Sequence, residues 1–171
     1  LGMIPSCVPD VMSKLRILSL EIQRMPKNNN ILFGNPDTYS YFSVCSTSTH
    51  DTSTLREWWE TLGQEKEIYY HSNLHFPNKA PKSCKLAICQ EIIRQHLESS
   101  SMMAIFLIQD WMSLNKKTRR NNPKEERIND PSDPNNYWQF RIHLEMEKIL
   151  SNKVFINKIK QMVRMSGRIA K

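Results

Sequence analysis

Long apolar runs, glycines and paired cysteines are scarce in this sequence of 171 residues, which holds only four glycines and four cysteines. The longest apolar run, Met102–Ile108, has the length of a strand and falls far short of the roughly 20 residues that cross a bilayer. The glycines form no Gly-rich phosphate-binding loop. The first ten residues combine no basic stretch with an apolar one, as a secretory signal would. These absences argue against a membrane protein, a secreted protein and a phosphate-loop enzyme.

The cysteines and histidines do not predict a metal site. Cys84 and Cys89 lack the two close ligand pairs of a tetrahedral zinc site, and His71 and His75 lie in a Pro- and Asn-rich stretch without helical pattern. Cys45 falls in a predicted strand and Cys89 on the apolar face of a predicted helix, which favours reduced, buried thiols and a cytoplasmic protein. We therefore expect neither a metal nor another cofactor.

The positive net charge is compatible with a nucleic acid or another anion as a binding partner. The net charge is +7 and the pI is about 9.3, with basic clusters at Lys116–Arg120 and Lys153–Lys171. A basic nucleic-acid- or anion-binding module is thus the alternative to an enzyme. Neither cluster interleaves its charges with stacking aromatic residues, as single-strand binding grooves do. Solvated helix faces are the favoured interpretation, with no nucleic-acid partner.

Apolar strand patterns alternate along the chain with amphipathic helix patterns. The predicted strands are Arg16–Ile22, Tyr41–Cys45 and Met102–Ile108. The predicted helices are Pro5–Leu15, Thr52–Leu62, Lys85–Glu98, Tyr137–Leu150 and Val154–Val163. The predicted loops are Gln23–Asp37, Gln64–Pro81 and Asn115–Asn136. Apolar strands with helical crossovers predict an α/β fold with a parallel sheet, and we favour part of a closed barrel over an open sheet with exposed edges.

His50 and Asp51 directly follow a predicted strand and precede a predicted helix. Loops at the carboxyl ends of parallel strands carry the active sites of α/β folds, so Asp51 is a candidate catalytic carboxylate. It also has a structural alternative, because its side chain could cap the N–H of Ser53 or Thr54, and Thr54 with Glu57 fits a capping box. Spacing alone leaves both alternatives open.

Polar side chains also follow the other two predicted strands. Glu21, Gln23 and Arg24 come after the first strand, and Gln109 and Asp110 after the third. Carboxylates, amides and a guanidinium at one rim suit a polyhydroxylated ligand such as a sugar. They suit a phosphate less well, because no Gly-rich loop is present.

Aromatic residues gather near the C-terminal end at Tyr137, Trp138 and Phe140. Such a group can anchor a helix or offer a flat surface to a sugar. Because the three fall within the predicted helix Tyr137–Leu150, we expect them to anchor that helix.

Several longer segments together resemble the 4-α-glucanotransferases, the family of amylomaltases and disproportionating enzymes. The resemblance is strongest to the branch that includes the plant cytosolic maltose-metabolising enzyme. The segments follow the order of the family and cover nearly the whole chain. They are CVPDVM, LSLEIQRMPK, YFSVCSTSTHDTSTLREWWE, RQHLESSSMMAIFLIQDW, ERINDPSDPNNYWQFRIH and SGR.

The resemblance implies that residues 1–171 form the C-terminal portion of a (β/α)8 TIM-type barrel, with strands six to eight and no second domain. It implies a retaining double displacement that passes a glucosyl or dextrinyl unit from maltose, maltodextrins or other α-1,4-glucans to another carbohydrate. The family's nucleophile and its acid/base glutamate lie upstream of the residue that matches Leu1. We therefore expect a fragment that is inactive alone.

The resemblance also assigns roles to individual residues. Asp51, in STSTHD, matches the carboxylate that stabilises the oxocarbenium-like transition state, and His50 matches the histidine that binds the donor sugar. Asn129, in ERIND, matches a substrate-contacting asparagine. Gln109 and Asp110, in LIQDW, match a polar pair at the tip of the eighth strand and are expected to bind substrate.

Overall fold

A three-stranded parallel sheet lies at the centre of the computed structural model, which describes residues 5–138 and 140–168. The strands are β1 (Ser19–Ile22), β2 (Ser43–Ser46) and β3 (Met103–Ala104), in that spatial order. The helices are α1 (Val8–Leu15), α2 (Leu55–Thr61), α3 (Glu65–Ile68), α4 (Leu86–Glu98), α5 (Ile108–Met112), α6 (Met146–Ser151) and α7 (Lys153–Met165). The predicted α/β class and parallel strand pairing are confirmed.

The main apolar core forms around α2 and α4. Trp59 of α2 and Ile88 and Ile93 of α4 are almost fully buried there, together with Tyr69. α4 also contacts the central strand, since the Cys45 thiol donates to the backbone oxygen of His96 at 3.3 Å. Burial of these side chains is the main force that holds the helices on the sheet.

The first predicted strand is too long and too buried. Arg16 ends α1 in the left-handed conformation, with φ 53°, so the chain becomes extended only from Ser19. The near-continuous apolar run RILSLEI also predicts a strand buried on both faces, and this prediction is wrong. β1 is an edge strand of the sheet, and Leu20 is 50% exposed.

The third predicted strand, Met102–Ile108, shortens to Met103–Ala104. Its apolar run continues into α5, which begins at Ile108, because an apolar run of this length does not distinguish a strand from a buried helix. Gln109 and Asp110 consequently lie within α5 and not at the tip of a strand.

Two regions were assigned the wrong local structure. The predicted loop Gln64–Pro81 contains α3 and a π-helical turn, Tyr69–Asn73. Conversely, the predicted helix Tyr137–Leu150 begins only at Met146, with Gln139 outside the described residues. Ile142 and Leu144 pack on a small core with Phe155, outside any helix or strand, and the chain bends at His143 and Leu144.

Arg168, in the segment SGR, attaches the end of the described chain to the connection between α4 and β3. Its guanidinium donates to the backbone oxygens of Leu97, Ser99 and Ser101, at 2.5, 2.7 and 2.8 Å. These bonds fix the connection between α4 and β3. α7, which precedes Arg168, is capped by Asn152, whose side chain accepts from the N–H of Phe155 at 3.1 Å.

All four cysteines are free, and Cys45, Cys84 and Cys89 are buried. The Cys84 and Cys89 sulfurs lie 3.4 Å apart, and burial raises the pKa of the Cys84 thiol. Among the described residues, no three metal-binding side chains come close enough to hold an ion. The helices of residues 5–138 and 140–168 lack the length and apolar character that a membrane crossing requires.

Candidate active site

His50 and Asp51 lie at the tip of a tight turn between β2 and α2, here called the His-Asp turn (Thr49–Thr52). The N–H of Thr52 donates to the Thr49 backbone oxygen at 3.1 Å, and the N–H of Thr49 donates to Thr52 Oγ1 at 2.9 Å. The side chains of His50 and Asp51 are 55% and 49% exposed. The turn therefore presents an imidazole and a carboxylate to solvent beyond the carboxyl end of β2.

Both carboxylate oxygens of Asp51 face neighbouring side chains. Oδ1 accepts a hydrogen bond from Asn129 Nδ2 at 2.7 Å, and Oδ2 lies 3.2 Å from His50 Nε2. Within the described residues, no N–H of a helix donates to this carboxylate, and α2 begins only at Leu55. The alternative that Asp51 caps the helix is therefore wrong.

Asp110 caps α2 instead. Its Oδ1 accepts from the N–H of Leu55 at 3.0 Å, and its Oδ2 accepts from Thr47 Oγ1 at 2.7 Å and from the Ser48 hydroxyl. The Thr54 side chain makes no capping bond, so the predicted capping box does not form. Asp110 is 1% exposed and holds the chain on both sides of the His-Asp turn.

Gln109 has a similar buried position. It is 3% exposed, and its Nε2 donates to the backbone oxygen of Glu126 at 3.2 Å. Substrate contact by Gln109 and Asp110 stays a prediction that this geometry does not favour, because both side chains bond to backbone or hydroxyl groups inside the protein. They support the segments that carry Asp51 and Asn129.

Arg24 joins the loop after β1 to the His-Asp turn. Its guanidinium donates to Thr52 Oγ1 at 2.7 Å, to Ser53 Oγ at 3.1 Å and to the Ser53 backbone oxygen. Burial lowers the pKa of Arg24 to about 10, so it stays protonated at neutral pH. Glu21 and Gln23, the other polar residues after β1, bond to other parts of the protein.

Asn129 connects a distant segment to the turn. Its backbone N–H donates to the His50 oxygen at 3.1 Å, while its side chain donates to Asp51 and accepts from Asn136 Nδ2 at 2.6 Å. The structure thus brings together three of the five predicted site residues, His50, Asp51 and Asn129. Their roles toward a substrate remain predictions.

A buried ion pair fixes the segment before Asn129. The sequence patterns did not predict it. Arg56 of α2 pairs with Glu126, and the two side chains are 6% and 3% exposed. Glu126 also accepts from the N–H of Arg120 at 3.1 Å. Burial raises the pKa of Glu126 to about 6, although Arg56 opposes that shift. The segment ERIND contained this glutamate, but local spacing does not identify a partner on another helix.

Trp138, which was expected to anchor a helix, contacts His50 instead. Its ring centroid lies 5.0 Å from that of His50, with the planes inclined by 48°, and the residue is 60% exposed. Trp138 does not lie in a helix, so the expected helix anchor is wrong for this residue. The loop folds back on His50, and nothing in the local spacing indicates that contact.

The cluster can hold a fixed negative charge beside hydrogen-bond donors. The side-chain partners of Asp51 in the described part of the chain are an imidazole and an amide. Retaining glycosidases need a nucleophile and an acid/base carboxyl about 5–5.5 Å apart. The described side-chain partners of Asp51 do not form such a pair.

Comparison with known proteins identifies a family model and several sequence relatives. The family model described as 4-alpha-glucanotransferase matches residues 1–146. The protein named 4-alpha-glucanotransferase DPE2 from Oryza sativa subsp. japonica is 42% identical over 168 residues, which are 98% of this chain and 18% of the rice protein. The 4-alpha-glucanotransferase of Chlamydia caviae is 33% identical over 163 residues, 91% of this chain and 29% of that protein. The chain thus spans less than a third of these relatives.

A solved structure shares the fold. It is the amylomaltase from Streptococcus agalactiae in complex with acarbose, with a TM-score of 0.73 and 18% identity, over 98% of this chain and 30% of that chain. At this identity the likeness shows the fold alone. The family model, which matches most of the chain, shows more: the chain belongs to the 4-alpha-glucanotransferase family.

Proposed function

We propose that this chain contributes part of the sugar-binding and catalytic face of a 4-α-glucanotransferase. The enzyme would transfer a glucosyl or dextrinyl unit from maltose, maltodextrins or other α-1,4-glucans to another carbohydrate, with retention of configuration. The observation that carries the proposal is the cluster of His50, Asp51 and Asn129 beyond the carboxyl end of β2, in a chain of this family. The three strands would be strands six to eight of a (β/α)8 barrel.

Asp51 is proposed to stabilise the transition state. Cleavage of a glycosidic bond develops positive charge around the anomeric carbon, and a fixed anion beside it lowers the barrier. Asn129 and His50 hold the Asp51 carboxylate in one orientation, so little reorganisation is needed when the charge develops. His50 and Asn129 also offer polar groups to the sugar hydroxyls.

The nucleophile and the acid/base carboxyl are proposed to come from outside this chain. The described partners of Asp51 include no second carboxylate, and double displacement needs two such groups besides the stabilising anion in this family. We therefore propose that the chain is a fragment without activity of its own. The free cysteines support a cytoplasmic location.

Nothing specific favours the alternative, a basic nucleic-acid- or anion-binding module. The family match covers the cluster Lys116–Arg120, and Arg120 there is bound to Glu125 and to the backbone of Arg141. Binding of oligonucleotides that falls steeply with added salt, without binding of maltodextrin, would support the alternative.

The test is the variant Asp51→Asn in the full-length polypeptide that carries this chain. Loss of the fixed negative charge is expected to lower kcat for glucose release from maltotriose by about 10²–10³-fold, the range for removal of one electrostatic stabiliser. A steady-state assay gives kcat, and circular dichroism checks that the variant folds.

Glu60→Gln is the matched control, because it also neutralises an exposed carboxylate close to Asp51 in the sequence. Glu60 lies on α2. The variant should keep wild-type kcat. Asp51→Asn with kcat within threefold of wild type would contradict the role of Asp51. Activity of residues 1–171 alone would contradict the proposal that the chain is an inactive fragment.

A further inference from the structure

Trp138 brings a large apolar side chain into contact with the His-Asp turn. It lies obliquely against the His50 ring, at 5.0 Å between centroids, and 60% of its surface stays exposed. A single exposed aromatic residue is ordinary on a protein surface. Trp138, however, lies beside the polar cluster of His50, Asp51 and Asn129, and burial of its side chain does not account for this position.

Two hydrogen bonds tie the segment of Trp138 to the carboxylate. Asn136 donates to Asn129 at 2.6 Å, and Asn129 donates to Asp51 at 2.7 Å. Trp138 follows Asn136 closely along the chain, so the indole is carried by a segment that is fixed to the site. Tyr137 differs from it. Tyr137 is 74% exposed and makes no ring contact with an aromatic neighbour among the described residues.

The side chains around the His-Asp turn are chemically suited to bind one face of a pyranose ring. A glucose ring has hydroxyls around its rim and an apolar face of C–H groups, whereas an indole is a broad apolar surface with one polar N–H. Ligand sites typically combine such an apolar wall with a few placed polar groups. Here the wall is Trp138, and the polar groups are those of His50, Asp51 and Asn129.

We propose that Trp138 forms an apolar wall of the sugar site, on which the C–H face of a glucose unit packs while its hydroxyls bond to His50 and Asn129. This inference rests on the proposed function, since it names how the same site holds its substrate. Trp138 is thereby a binding residue and takes no part in bond cleavage.

The experiment measures maltotriose binding to the full-length polypeptide by isothermal titration calorimetry. Trp138→Ala should weaken binding about tenfold, which corresponds to a change of about 1.4 kcal/mol. Trp138→Phe should recover most of the affinity, because a smaller aromatic face remains. In kinetics, KM should rise with kcat nearly unchanged, the pattern of a contact made equally in the ground and transition states.

Tyr137→Ala is the matched control, as it removes an exposed aromatic residue next to Trp138, and it should bind maltotriose like wild type. A second comparison distinguishes direct contact of Trp138 with the sugar from an indirect role, in which Trp138 only positions His50. Trp138→Ala should weaken binding in the His50→Ala background as well. Loss of its effect in that background would show that Trp138 acts only through His50, and would overturn the inference.

The outcomes also separate this inference from the proposed function. Wild-type protein that binds no maltotriose would overturn both. Wild-type protein that binds it, with Trp138→Ala binding equally well, would overturn only the role of Trp138. Weaker binding by Trp138→Ala in both backgrounds, with recovery by Trp138→Phe, would support the inference.

Discussion

Two groups of residues around the His-Asp turn differ in exposure. The exposed cluster is His50, Asp51, Asn129 and Trp138, and the buried layer is Arg56, Gln109, Asp110 and Glu126. Asp51 and Asp110 show the contrast most clearly. The Asp51 side chain is 49% exposed, whereas Asp110 is 1% exposed and accepts bonds from a helix N–H and two hydroxyls.

The difference shows that a carboxylate near a candidate site can have either of two functions. A buried carboxylate whose oxygens are occupied by the protein stabilises the fold, because its loss leaves donors unsatisfied. An exposed one that is held by neighbours remains accessible to a ligand. The buried layer should therefore control stability, and the exposed cluster should control activity.

Breaking the buried ion pair should have the largest effect on stability. Arg56→Ala leaves the Glu126 carboxylate buried without its cation, and such a loss typically costs about 3–5 kcal/mol of unfolding free energy. Urea unfolding followed by tryptophan fluorescence measures the change. The expected result is a lower midpoint with an unchanged slope.

Arg94 provides the control for Arg56, because its pairs with Glu91 and Glu98 lie on the surface of α4. The Arg94 side chain is 43% exposed, and Arg94→Ala should cost no more than about 1 kcal/mol. Equal losses for the two variants would show that burial does not distinguish the two kinds of ion pair here.

The two aspartates test the comparison directly. Asp110→Ala removes the cap of α2 and leaves the Thr47 and Ser48 hydroxyls without their acceptor, which should cost about 2–4 kcal/mol. Asp51→Asn should change the unfolding free energy by no more than about 0.5 kcal/mol, as is usual for surface substitutions.

Hydrogen exchange gives a local measurement for the same pair of variants. The amide of Leu55 donates to Asp110, so it should exchange faster in Asp110→Ala and at the wild-type rate in Asp51→Asn. Faster exchange at Leu55 in Asp51→Asn would place Asp51 in the structural layer and contradict its assignment to the exposed cluster.

The fold was predictable where patterns were local. α4 was expected at Lys85–Glu98 and lies at Leu86–Glu98, because apolar residues recur along one face of a helix with a clear end. The prediction of a strand at Met102–Ile108 was wrong over most of its length, because its apolar residues are compatible with either a strand or a buried helix. The prediction of a helix at Tyr137–Leu150 was wrong over most of its length, because Ile142 and Leu144 pack on another core from a segment that bends instead of forming a helix.

The site was predictable only in part, because its contacts are long-range. The Leu55 N–H at the start of α2 and its acceptor, Asp110, are 55 residues apart, so spacing near Asp51 could not show that a distant residue caps the helix. Asn129 lies 78 residues from Asp51, and its assignment came from the resemblance of ERIND to a family segment. Trp138 lies in the same resembling segment, but the resemblance assigned it no role, and its contact with His50 required the folded chain.

The smallest expected effect is a pH dependence that arises in the buried layer. Burial raises the pKa of Glu126 from its ordinary 4.5 to about 6, so the folded protein keeps a proton that the unfolded chain has already lost in this range. The unfolding free energy contributed by Glu126 should therefore fall as pH rises from 4.5 to 6, and stay lower above pH 6. Glu126→Gln cannot titrate and should lack this loss. Urea midpoints of both proteins at pH 4.5 and pH 7 measure this loss. Parallel changes in the two proteins would show that Glu126 titrates alike in the folded and unfolded chains, and would contradict a carboxylate held away from water.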